Sequence, residues 1–266
     1  MDFTVSTYRQ LIKAFLEDGY NIIPVRDFLE SKPQRKVIVL RHDVDEQPQN
    51  ALNMAKVEND QGVKATYYFR RVPKSDHPTI IRQIAAMGHE IGYHYEDLSK
   101  TEGDMGKAIA SLKENLEYFR QYYPVKTVCM HGSSSSKYNN KDIWSHVRLE
   151  DFGLIGEPYL SFDFDKTFYL TDTGYAWDGG KYAVRDKVSS SFPQSYHSTK
   201  DVIEAVEEGR FPTQALILAH TLWTDSPSLW SYLHLREFLR NRVKLLSRKS
   251  KFVSNIYNKL VKLYWR

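Results

Sequence analysis

The chain has 266 residues, 41% hydrophobic and 26% charged, with a formal net charge of +4. That is enough apolar material for one large core. A single cysteine, Cys129, excludes an internal disulfide framework; no apolar run approaches the ~18 residues of a membrane span, and the N-terminus does not read as a signal peptide. A cytoplasmic protein is expected.

The charge is uneven. Residues 236–266 hold ten Lys/Arg against one acid, Glu237, while the preceding body is mildly acidic. The chain accordingly divides into a domain over 1–235 and a basic C-terminal helical segment over 236–266.

In chain order, "YRQLIKAFLEDGY" has helical spacing and stops at Gly19. "NIIPV" reads as a short strand, and "KVIVL" as a strand apolar on both faces. "NALNMAKVENDQG" is a predicted helix, "KATYYF" a strand, "HPTIIRQIAAMG" a helix and "EIGYH" a strand. "DMGKAIASLKENLEYFRQYY" predicts a long amphipathic helix, followed by the strand "KTVCMH". The stretch 138–212 is less regular, "EAVEEG" reads as a helix end, and "QALILAH" is a last apolar strand. Strands alternating with helices predict a parallel sheet, as a barrel or doubly wound. No glycine-rich phosphate loop follows any strand.

Four strands end in polar residues: "VIVLRHDVD", "EIGYHYE", "TVCMHG" and "ALILAH". In a barrel these ends share the face that carries the chemistry. Asp43 and Asp45, two apart, point to one side of an extended segment and would meet His94, His131 and His220 there. A carboxylate with two imidazoles suits a divalent metal ion, zinc by donor type. A second carboxylate can then take a proton from water, and a separate histidine can protonate a leaving group. Taken singly, each residue has a plainer reading. Asp43 or Asp45 would cap the helix starting near Pro48, and a histidine at a strand end is more often a structural hydrogen-bonding group.

These segments resemble the NodB-homology polysaccharide deacetylases, carbohydrate esterase family four. The resemblance runs from Lys36 to about His131, weakly over Asp172–Trp177 and again over Leu216–His220. It implies a distorted (β/α) barrel with fewer than eight complete units. It implies Asp43 as catalytic base, Asp45 and His94 as metal ligands, and His220 as general acid. The family's metal motif is His-x-x-x-His, but here the second position is Leu98. His131, or an oxygen of Glu96 or Asp97, would fill the gap, or the metal site is lost. The family's Arg-Pro-Pro-Tyr motif has no match; "HGSSSSKY" stands roughly in its place.

Substrate contacts are expected from Tyr95, Glu96, Asp172 and Trp177. Asp172 would orient Asp43 or an arginine, and Trp177 would stack on a sugar or else fill core space. His89 is read as structural, and Glu157 is a weaker candidate to line the site. The expected function is metal-dependent removal of an acetyl group from an acetylated sugar or glycan. The alternatives are a metal-independent C–N hydrolase of the same fold and an inactive glycan-binding module. No nucleic-acid partner is expected. Phe252, Ile256, Leu260 and Leu263 stand at helical spacing among Lys251, Lys259 and Lys262, with Tyr264 and Trp265 at the end, a pattern suited to peripheral membrane contact or to packing on the barrel.

Overall fold

The computed structural model describes residues 1–33, 36–132, 136–178, 182 and 187–247. Their elements are α1 (Val5–Glu17), β1 (Asn21–Ile23), α2 (Val25–Ser31), β2 (Val37–Val44), α3 (Pro48–Asp60), β3 (Thr66–Phe69), α4 (Pro78–Ala86), β4 (Glu90–Tyr95), α5 (Asp97–Lys100), α6 (Met105–Arg120), β5 (Val128–Met130), α7 (Pro158–Ser161), β6 (Phe168–Thr171), α8 (Thr199–Glu207), β7 (Gln214–Leu218) and α9 (Pro227–Ser247). Two 3-10 turns, at 140–145 and 149–152, follow β5.

Every strand pairing is parallel, and the order is β5-β4-β3-β2-β7-β6, with β1 against the first half of β2. Among the described residues the end strands β5 and β6 do not pair, so the sheet is an incomplete (β/α) barrel, as expected. The reason β2 is central is visible in its burial: all eight residues are inaccessible. Its apolar start is flanked by β1 and β7, and its polar end by β3 and β7, with Asp43 in register with Tyr68 and Arg41 with Leu218.

Three local differences from the sequence reading have physical causes. The first strand stops at Ile23, because Pro24 has no N–H to add to the ladder and stands as the N-cap of α2. Residues 138–212 contain a strand, β6, besides the helix expected to end in "EAVEEG", which is α8 and is opened by a capping box of Ser198 and Asp201. Helix α9 begins before residue 235 and runs through it, with Leu233, Glu237 and Asn241 buried against the body. The tail residues Lys251 to Trp265 named above lie outside the described residues.

The two faces of the sheet differ. Outward from β2, His42 meets Glu58 of α3 at 2.7 Å, and Glu58 also accepts from Tyr67 at 2.8 Å and from Tyr8 of α1. Inward, the Tyr68 ring lies over Gly92 of β4 and its hydroxyl meets Thr127 at 2.9 Å. Gly92 has to be glycine: a Cβ there would run into that ring and come within 2.8 Å of the Thr127 carbonyl oxygen. Gly92→Ala should therefore destabilise the protein by about 1–3 kcal/mol, the usual cost of overpacking, read as a lower urea midpoint. An unchanged midpoint would mean that the Tyr68 ring is free to leave.

Candidate active site

Alternation along β2 explains why "RHDVD" follows a buried strand. His42 faces the helices, while Arg41 and Asp43 face the inside, and Asp45 continues that face past the strand end. Strands β4 and β5 bring His94 and His131 to the same place. The His131 N–H donates to the Tyr95 carbonyl at 2.8 Å, extending the β4–β5 pairing by one residue and setting the two imidazoles side by side.

One ligand atom from each of Asp45, His94 and His131 lies within 4.8 Å of the others. His131 Nδ1 is 3.0 Å from Asp45 Oδ1 and 3.3 Å from His94 Nε2, and His94 Nε2 is 3.5 Å from the same oxygen. His94 Nδ1 is committed to the Cys129 carbonyl at 2.9 Å, which leaves Nε2 as the ligating atom. Despite that crowding, Asp45 Oδ1 is buried and takes part in no well-aligned hydrogen bond. Burial would raise the Asp45 carboxyl, but His131 and His94 outweigh it and hold it well below the usual carboxylate range. Burial likewise pulls His94 down, and Asp43 with Asp45 more than reverses this. Three converging donors, one a buried carboxylate oxygen without a hydrogen bond, fit a divalent cation.

A second cluster, Asp43, His94 and Cys129, is equally tight but ill suited to a cation. Arg41, fully buried, lies 3.5 Å from Asp43 Oδ1 and donates to the Cys129 sulfur, to Tyr159 Oη at 2.7 Å and to Tyr169 Oη at 3.4 Å. A guanidinium at that distance opposes a metal ion beside Asp43 and leaves the carboxylate for other work.

Across the site, His220 follows β7. Its Nδ1 is 2.6 Å from Asp172 Oδ1, and its backbone N–H reaches both Asp172 oxygens at 2.9 and 3.0 Å. Trp223 Nε1 donates to Asp172 Oδ2 at 2.9 Å. Burial would lower the imidazole, but Asp172, helped by Asp45 and Asp43, brings it up to about 10. His220 is thus an imidazolium through neutral pH.

The structure brings Asp43, Asp45, His94 and His131 together and gives His220 a carboxylate partner. The remaining expectations need correction. Asp172 orients His220 rather than Asp43 or an arginine. Trp177 is a core residue, 5% exposed, near Phe3 and Trp223, with its indole N–H on Thr199, and offers no stacking surface. Tyr95 points the opposite way from His94, fully buried, its hydroxyl accepting from Trp144 at 2.8 Å. Glu96 is clamped by Arg70 at 2.7 and 3.2 Å and by Lys100 at 3.1 Å. Burial opposes its ionisation, yet His131, Arg70 and Lys100 bring its carboxyl down to about 2. Asp97 is turned to Tyr93, Ser111 and Asn115. Of the groups that might stand in for the missing histidine, His131 is the one that reaches His94. His89 joins the Ala65 N–H to the Ala55 carbonyl and is structural. Glu157 is buried, which pushes its carboxyl up to about 7, and it ties β5 to α7 through the Met130 and Leu160 N–H groups. Arg41 was not singled out from the sequence; the signal was an arginine directly after four apolar residues, inside the buried strand.

No family model matches the sequence, and no curated protein matches it. Among solved structures, the chain is similar to a Streptococcus mutans CE4 esterase, with a TM-score of 0.46 and 14% identity over 83% of this chain and 87% of that one. It is similar to a CE4 family pseudoenzyme from Bacillus anthracis, with a TM-score of 0.45 and 14% identity over 79% of this chain and 62% of the other. A polysaccharide deacetylase from Bacillus cereus gives 0.41 and 17%, over 77% and 88%. The chain spans less than two thirds of the pseudoenzyme's length. The first two of these neighbours are described as members of carbohydrate esterase family four. Likeness this distant says nothing about chemistry, which has to come from the chain's own atoms.

The His220–Asp172 pair makes a prediction about pH. An imidazole raised from its ordinary 6.5 to about 10 adds stability that is complete below pH 6.5 and lost as pH climbs through 10. Chelator-treated protein should lose a few kcal/mol of unfolding free energy across that window, and Asp172→Asn should flatten the loss. Histidine titration by NMR checks the cause; a His220 that still titrates near 10 in the variant would remove Asp172 from this role.

Proposed function

We propose that the protein is a metal-dependent hydrolase that removes an acetyl group from an N-acetylated sugar or glycan. The observation that carries this reading is the convergence of Asp45, His94 and His131 next to a carboxylate outside that set, Asp43, and an imidazolium, His220. The sugar class comes from the motif resemblance.

Asp45 Oδ1, His94 Nε2 and one nitrogen of His131 would hold the ion, and zinc suits this donor set. Bound there, it supplies Lewis acidity and an acidified water. Asp43, 3.6 Å from His94 Nε2 and held by Arg41, is the base that accepts the proton of the attacking water. His220 keeps Nδ1 on Asp172 and donates from Nε2 to the departing amine, which leaves readily only when protonated. Asp172 is a positioning residue, holding the His220 ring at Nδ1 and the His220 backbone N–H on both of its oxygens.

The chain's proposed compartment is the cytoplasm, on the cysteine count, with no nucleic-acid partner, since its basic residues come without a recognition motif. Among the described residues no helix is long and apolar enough to cross a membrane.

Elemental analysis should find close to one divalent ion per chain, lost in His131→Ala. Acetate release from N-acetylated glycans should stop on chelation and return with zinc. Asp43→Asn should keep the ion and lose activity by about 10²–10⁴-fold. Turnover that survives complete chelation would overturn the metal-dependent reading in favour of a metal-independent hydrolase. Wild-type-like turnover in Asp43→Asn would remove that residue from its role.

A further inference from the structure

Helix α9 turns Glu237 and Asn241 inward beside Leu233 and presents most of its large exposed apolar side chains outward. Of the eight exposed large apolar side chains among the described residues, Tyr232, Leu235, Phe238, Leu239 and Leu246 are on this one helix. At 3.6 residues per turn, Tyr232, Leu235, Leu239 and Leu246 form a single stripe, with Phe238 along its edge. The opposite side carries Leu233, Glu237 and Asn241, all buried.

Specific contacts fix this orientation. Asn241 donates to the Gly174 carbonyl at 3.0 Å, and Arg236 binds both carboxylate oxygens of Glu46. The stripe is therefore presented rather than left over, and patches of this kind mark interaction surfaces.

Charge decides what covers it. Residues 236–266 carry ten Lys/Arg and one acid, and within 248–266 there are six cations and no acid. A second copy seated on the stripe would bring two such segments together, and the chain's own tail would lay cations against the cations of α9. Nucleic acid answers the charge but has no use for leucines. An anionic lipid surface answers both, and the exposed Arg242 lying over the Phe238 ring at 5.0 Å is the mixed aromatic and cationic character suited to a headgroup layer.

We propose that the outer face of α9 docks on an anionic lipid bilayer, with Leu235, Leu239, Leu246 and Tyr232 entering the headgroup boundary and the basic segment 236–266 supplying the electrostatic attraction. Arg236 grips Glu46, the residue after Asp45, so docking holds the polar ends of the strands at the bilayer. On the deacetylase reading, and resting on it, the substrate is then a glycan carried on a lipid.

The test is sedimentation of the full chain with vesicles of equal parts phosphatidylcholine and phosphatidylglycerol, beside vesicles of phosphatidylcholine alone. Wild type should bind the mixed vesicles at least tenfold more tightly than the neutral ones and lose that advantage in high salt. Leu235→Glu combined with Leu239→Glu should weaken binding to mixed vesicles roughly tenfold or more, with circular dichroism and acetate release from a soluble substrate unchanged. Asp43→Asn should bind vesicles like wild type, which separates this surface from the catalytic reading. Equal binding by the double variant, or no binding by wild type, overturns the proposal. A wild type that sediments as a dimer and a double variant that sediments as a monomer overturns it in favour of a second copy.

Discussion

Arg41 places a full positive charge on the inner face of the central strand, and much of the surrounding structure answers it. A buried cation without partners costs several kcal/mol. Here the partners come from four places in the chain: Asp43 on the same strand, Cys129 on β5, Tyr159 in α7 and Tyr169 on β6. Because β5 and β6 are the unpaired ends of the sheet, Arg41 links across the opening that hydrogen bonding leaves. The same contact gives Asp43 its electrostatic setting.

That setting separates two carboxylates of one type, two residues apart. Asp43 sits beside a guanidinium and is 3% exposed; Asp45 sits beside two imidazoles. A cation is repelled from the first and attracted to the second, so in the proposed reading the roles of base and ligand follow from neighbours and not from order in a motif. The loss of a histidine at Leu98 is answered in the same way. The site needs a nitrogen near His94, and the adjoining strand end supplies one.

The strands "VIVL", "EIGY", "TVCM" and "ALIL" were legible because they are short, largely apolar and rich in β-branched residues, and each ends in polar residues. Where a residue sits along such a strand can be read from alternation, which is why Asp43, Asp45, His94 and His131 come together as expected. What lies around a loop residue cannot be read this way. Trp177 and Asp172 belong to one turn after β6, and their partners Thr199 and His220 are 22 and 48 residues away in sequence. Tyr95 was misread for a local reason: it follows His94 and so must face the other side of the sheet. Glu96 was misread for a distant one, the clamp from Arg70, 26 residues earlier.

His42 shows how the outer side of the sheet supports the inner one. Its Nε2 is held by Glu58, itself fixed by Tyr8 and Tyr67, and its Nδ1 meets the Ala219 carbonyl at 2.9 Å. Ala219 directly precedes His220, and its N–H donates to the Arg41 carbonyl at 3.0 Å. The end of β7 is thereby fastened to β2 from the side chain as well as the backbone. Residue 41 braces Asp43, residue 42 anchors the backbone that leads into His220, and residues 43 and 45 present the two carboxylates. Four positions, three on a strand and one just past its end, that cannot shift by one register without turning to the wrong face thus set the relative placement of the proposed base, ligand and acid.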